Sequence, residues 1–170
     1  METNKSRALI EVDFPLREVS EESAREKNIR HGHISSLHTW WARRPLAASR
    51  ATSLAALISA PSGQDELNMK LQLVSEISKW ENSSNQRLIG NARKEILDFF
   101  GRRPKVLDCF AGGGAIPLEA LRLGCETYAL EYNPVAYLIL KATLEYPQKL
   151  GKQRAKLEEK FRPASCELLD

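Results

Sequence analysis

"KVLDCFAGGGAIPLEALRLGCETYALEYNP", residues 105–134, decides the fold. "KVLDCF" (residues 105–110) is a short apolar run of the kind that forms a buried strand. It runs into "AGGG" (111–114), and "AIPLEALRLG" then reads as a short helix closed by Gly124. "CETYALEY" (125–132) reads as a second strand. Asn133 is a good N-cap and Pro134 a good first helical residue for the segment "VAYLILKATLEY" that follows. Strand, glycine loop, helix, strand, helix is the opening of a parallel α/β sheet.

The glycine loop points to a ligand. Gly112 and Gly114 permit a sharp turn and leave no side chain between backbone and ligand. Glu131 stands at the end of the second strand, where a carboxylate accepts hydrogen bonds from ribose hydroxyls. A dinucleotide fingerprint requires a third glycine three positions after the second, and Pro117 occupies that place. Pro117 also removes a backbone N–H from a would-be pyrophosphate cradle. No Gly-Lys-Ser/Thr follows, so the loop is not a Walker A segment. A nucleoside ligand without phosphates fits better, and S-adenosylmethionine meets that description. Asp108 at the strand tip suits its ammonium group. A tight strand-to-helix turn that binds nothing is the bland alternative, and the spacing of Asp108, Phe110 and Glu131 argues against it.

Working outward, residues 1–33 are charged and weakly periodic. "LIEVDFPLREVS" (9–20) is expected to hold a short extended piece and "SEESAREKNIR" (20–30) a solvated helix or arm. Three apolar stripes follow at helical spacing: Ala47, Ala51, Leu54 and Ile58; Leu67, Leu71, Val74 and Ile77; Ile89, Ala92, Ile96 and Phe99. Pro45 is placed to open the first helix. Pro61-Ser62-Gly63 ends it, and Gly101 with Pro104 ends the third. "ENSSNQ" (81–86) between the last two stripes reads as a polar loop. The expected organisation is a mainly helical region over 1–103, the start of a cofactor-binding α/β domain over 104–148, and a charged tail over 149–170.

Bulk properties exclude several classes. No apolar run approaches the roughly 20 residues needed to span a bilayer, and the first residues lack a signal-peptide core, so a cytoplasmic protein is expected. Cys109, Cys125 and Cys166 are scattered singly, which suggests neither a zinc site nor a disulfide framework. A net charge of +3 permits a nucleic-acid partner without requiring one.

"IRHGHISSLHTWWARRPLAASRA" (29–51) is the unusual stretch, with Trp40 and Trp41 set against Arg43 and Arg44 and Pro45 directly behind. An indole can pack on a sulfonium or stack on a base. The arginines can hold a carboxylate or a phosphate. One tryptophan in the core and one in a site is the expected division. His31, His33 and His38 lack the cysteines or carboxylates that would complete a metal site.

Taken together, "VLDCFAGGGAIPLEALRLG", "ALEYNPVAYLILKATLEYP" and the tryptophan–arginine stretch resemble the large adenine-specific DNA methylases, which carry an N-terminal domain of unknown function ahead of the cofactor loop. The resemblance covers about residues 9–151. It implies an N-terminal helical region followed by the first half of a Rossmann-like, S-adenosylmethionine-dependent methyltransferase sheet. It implies that residues 36–51 close over the methionyl end of the cofactor. The implied cofactor-binding set is Asp108, Phe110, Gly112, Gly114, Glu131 and Asn133 with His38, Trp41, Arg43, Arg44 and Pro45, and DNA is the implied partner. The Asp/Asn-Pro-Pro-aromatic segment that positions the adenine amine in this family has no counterpart. "NPVAY" (133–137) separates its proline and aromatic residue by Val135 and Ala136 and follows the cofactor-side strand. No catalytic residue is therefore expected, and a complementing chain with the catalytic half is. A non-catalytic binding module and a degenerate remnant stay open beside it.

Overall fold

The structure, a computed structural model, describes residues 7–29, 32–34 and 38–151. Seven α-helices and a two-stranded parallel sheet make an α/β architecture among these residues: α1 (Leu16–Glu26), α2 (Leu46–Leu57), α3 (Gln64–Ser78), α4 (Gln86–Phe100), β1 (Lys105–Asp108), α5 (Ala115–Arg122), β2 (Glu126–Ala129), α6 (Pro134–Leu140) and α7 (Tyr146–Leu150). A π-helical segment, Lys141–Glu145, joins α6 to α7.

Helix α2 is the hub, packing against α1, α3, α4 and α5. Ala51, Leu54 and Ala55 are fully buried, and the small alanines let neighbouring helices approach closely. Leu9, Val19, Val74, Ile77, Ala92, Ile96, Ala120 and Leu123 complete the core around them. All three expected stripes face this core, with Ile58, Val74, Ile77, Ala92 and Ile96 at 1 % exposure or less. Helix α4 begins where Asn85 accepts from Leu88 N at 3.2 Å and ends at Gly101 with φ +65°.

Two expectations change. The segment around Leu9 is a 3₁₀ turn (Leu9–Glu11) rather than an extended piece, with a single antiparallel bridge between Ala8 and Ser59. Leu9 N donates to Ile58 O at 3.0 Å, so the end of α2 rather than strand propensity sets its conformation. The polar stretch from 81 opens inside a second 3₁₀ turn, Trp80–Asn82, before the chain loops into α4.

The strands pair in parallel with Val106 opposite Thr127 and Asp108 opposite Ala129. Leu130 N donates to Asp108 O and Ala111 N to Leu130 O, which carries the ladder into the glycine loop. Val106 packs toward the helical core. The opposite face shows Leu107 and Tyr128 to solvent.

A buried ion pair joins the helical layer to the sheet layer. Arg50 Nε of α2 donates to Glu119 Oε2 of α5 at 2.6 Å, and Arg50 Nη1 to Ile77 O at 2.7 Å. Arg122 Nη1 holds the other Glu119 oxygen at 2.7 Å. Burial pushes the Glu119 carboxyl upward, and the two guanidiniums oppose that shift. Removing one partner strands a desolvated charge and costs about 3–5 kcal/mol, whereas an apolar replacement of both is far milder. Glu119→Leu and Arg50→Met are each expected to lower the midpoint of urea unfolding sharply. The double variant should be closer to wild type than either single one, and a double-mutant cycle from unfolding curves checks this.

Candidate functional site

The glycine loop lies where β1 meets the N-terminus of α5. Gly112 and Gly114 have φ of +49° and +78°, and both conformations favour glycine. Asp108 Oδ1 accepts from Phe110 N at 3.1 Å, turning the chain out of β1. From the tip of β2, Glu131 reaches across: its Oε2 accepts from Gly112 N at 2.7 Å, and its Oε1 from Tyr132 N at 2.9 Å and Asn133 N at 3.0 Å. The amides of Asn133, Gly112 and Tyr132 hold the Glu131 carboxyl below its ordinary value. Asn133 caps α6, accepting from Val135 N and Ala136 N.

Trp40 covers this loop. A Cβ placed on Gly112 would meet Trp40 Nε1 at 2.8 Å, and one on Gly113 would meet Trp40 Cβ at 3.1 Å. Residues of widely separated sequence, Trp40, Gly112 and Glu131, thus form one contiguous unit. The chain then turns, with Arg43 N donating to Trp40 O, and Pro45 delivers it into α2. Pro45 has no side-chain donor or acceptor with which to cap that helix. Glu26 of α1 caps it instead, accepting from Leu46 N at 3.0 Å and Ala47 N at 2.9 Å. His33 Nε2 lies 2.8 Å from the same carboxylate and its ring packs on Trp80.

A cavity of about 400 Å³ opens beside this unit, lined among others by Glu26, His33, Trp40, Arg43 and Arg44. Nε and Nη1 of Arg43 are buried without a hydrogen-bond partner. Burial lowers the Arg43 guanidinium from its usual value, opposed by the Glu26 carboxylate. A buried, unpaired guanidinium at a cavity wall suits a carboxylate or phosphate ligand.

The expected residues divide accordingly. Asp108, Gly112, Gly114, Glu131 and Asn133 shape the loop and its flank, and Arg43, Arg44 and Pro45 line the adjoining cavity. Phe110 and Trp41 are 92 % and 87 % exposed, and it is Trp40, not Trp41, that touches the loop. His38 is exposed and does not line the cavity. His31 lies outside the described residues. Among the described residues no three His, Cys, Asp or Glu side chains come together as a metal site would require. Glu26 and His33 escaped the sequence reading as a pair. Their signal is a helix, α2, that starts after a proline without a capping side chain of its own.

Two predictions follow from the loop. Gly112→Ala places a methyl against Trp40 at a left-handed φ and is expected to cost about 1–2 kcal/mol from the backbone alone. It should also shift tryptophan emission to longer wavelength, a change that Trp40→Phe abolishes. Because the Glu131 carboxyl titrates lower folded than unfolded, its contribution to stability is complete above the ordinary carboxylate range near pH ~4.3. That contribution is lost as pH falls through the depressed value. Glu131→Gln should therefore be less stable than wild type at neutral pH and converge with it on acidification, as followed by urea unfolding at a series of pH values.

Residues 13–88 match the model of a family described as a protein of unknown function, DUF1156. The match spans α1 to the start of α4, including the tryptophan–arginine stretch, and stops ahead of β1 and the glycine loop. No curated protein and no solved structure matches the chain.

Proposed function

We propose that this chain is the S-adenosylmethionine-binding part of a DNA adenine-N6 methyltransferase, and that β1, α5, β2 and α6 are the first half of its Rossmann-like sheet. The observation that carries the reading is the convergence of Trp40, the Gly112 turn and Glu131 at the C-terminal ends of two parallel strands. Ligands of open α/β sheets bind in that crevice. Glu131 has spare lone pairs for ribose hydroxyls while its amide bonds fix its position. Asp108 offers a carboxylate to an ammonium group, and Arg43 a desolvated guanidinium to a carboxylate. Phe110 and Tyr132, fully open to solvent at the two strand tips, offer ring faces to a purine. Bound there, the cofactor would supply an electrophilic methyl group.

Transfer to adenine also requires the base to leave the duplex and its amine to be oriented by acceptors. The 170 residues contain no Pro-Pro pair and hence no Asp/Asn-Pro-Pro-aromatic segment. Under this reading the acceptors come from a complementing polypeptide, and this chain alone binds cofactor without turnover. A second reading, a non-catalytic cofactor- or nucleic-acid-binding module, is favoured by the exposure of Trp41 next to the exposed Arg44. Salt-sensitive binding to single-stranded DNA without cofactor would select it.

Calorimetric titration of the chain with S-adenosylmethionine tests the first reading. Saturable binding is expected, weakened at least tenfold by Glu131→Ala and by Arg43→Ala, with thermal unfolding of each variant followed in parallel. A folded wild-type chain that gives no saturable heat rejects it.

A further inference from the structure

The largest described cavity, about 610 Å³, lies away from the glycine loop, along the free edge of β2. Cys125, Thr127 and Ala129, which alternate along one face of that strand, form its floor, and Pro117 and Leu121 of α5 flank it. Its roof is Leu140, Leu144 and Gln148, contributed by α6, the π-helical segment and α7. The hydroxyl of Thr127 is buried there without a partner.

The shape follows from chain topology. Helix α6 leaves the tip of β2 at Asn133 and the helical run returns toward the start of that strand, since Gln148 lines the same cavity as Glu126. A strand followed by a helix that runs back over the sheet is half of a parallel crossover, and such crossovers are right-handed. The missing half is a strand parallel to β2 on its outer side, entering from the end where α7 stops. Purely parallel sheets are also covered on both faces and rarely end at two strands. The cavity therefore has the position, direction and apolar walls of a strand slot.

Residues 152–170 supply the occupant, because the chain reaches Gly151 at the mouth of the slot. From 152 to 162 charged side chains dominate, which suits water rather than walls of Leu121, Leu140 and Leu144. After Pro163 comes "ASCELLD", where Cys166 and Leu168 alternate with Glu167. The residues between Gly151 and Cys166, at about 3.3–3.6 Å each when extended, span several times the length of β2.

We propose that residues 166–169 add to the outer edge of β2 as a third parallel strand, with Cys166 beside Thr127 and Leu168 beside Ala129 facing the helical roof. This rests on topology and not on the cofactor reading, and it leaves the outer edge of β1 as the side open to a complementing chain. In this register Cys166 is the diagonal neighbour of Cys125 on the same face, about 7–8 Å away.

The test is cross-linking of the full chain carrying Cys109→Ser, which leaves Cys125 and Cys166 as its only thiols. A short bismaleimide at low protein concentration is expected to join them within one chain, as mapped by peptide mass spectrometry. Leu168→Lys, with folding followed by circular dichroism, should reduce the yield at least fivefold and speed alkylation of Cys125. Links between chains that grow with concentration would place a second copy in the slot and overturn the proposal. So would a Cys125 that alkylates at the same rate with and without Leu168→Lys, or one that is protected yet never joined to Cys166.

Discussion

The ion pair between Arg50 and Glu119 is the constraint on which the rest of the molecule depends. Both side chains are almost wholly buried, and a buried charge is tolerable only when its hydrogen bonds are complete. Arg50 meets this through Glu119 and Ile77 O, and Glu119 through Arg50 and Arg122. An apolar contact between α2 and α5 would permit sliding by a residue or rotation about either axis. A charge pair with fixed partners on three helices does not. The position of α5 relative to α2 is thereby set, and α5 begins at Gly114, the last residue of the glycine loop.

Helix α2 transmits the same constraint to the other half of the site. Its first turn follows directly on Trp40–Pro45, so fixing α2 fixes where Trp40 can reach. Glu26 completes the arrangement from α1: one carboxylate holds the opening amides of α2 and the His33 ring. It also lies close enough to Arg43 to oppose the effect of burial on that guanidinium. Attraction across the cavity without a hydrogen bond leaves Arg43 charged, desolvated and able to accept an anionic partner. The contact of Trp40 with Gly112 and Gly113 is thus the outcome of two buried carboxylates, each in a helix pair remote from the loop.

This explains what the sequence disclosed and what it did not. The helical stripes, the caps at Asn133 and Gly101, and the strand–loop–helix passage from Lys105 depend on residues within a few positions of one another, and local pattern reports them. Arg50 sits among "ATSLAALI" neighbours and Glu119 between Leu118 and Ala120; each alone reads as a charge on the rim of an apolar face. Only the packing of α2 on α5 brings them together. The exchange of Trp41 for Trp40 has a different origin. Adjacent residues in a turn point to opposite sides, and composition does not say which side holds the loop. Leu9 shows a third kind of miss, because its 3₁₀ conformation answers a hydrogen bond to Ile58, far along the chain.

The division of labour in the sheet follows from the same geometry. Everything that shapes the glycine loop is anchored to helices already packed in the core, so the C-terminal ends of β1 and β2 are ordered by the described residues themselves. The unpaired edges and the face bearing Leu107 and Tyr128 have no such support. Backbone groups along a parallel strand require a partner, and a parallel sheet requires cover on both faces. A two-stranded sheet meets the demands of a binding loop before it meets those of a finished domain. Cofactor binding and catalysis are therefore separable in this molecule on physical grounds: the loop is braced from the helical side, and the adenine-orienting groups of such enzymes belong to the side that is still open.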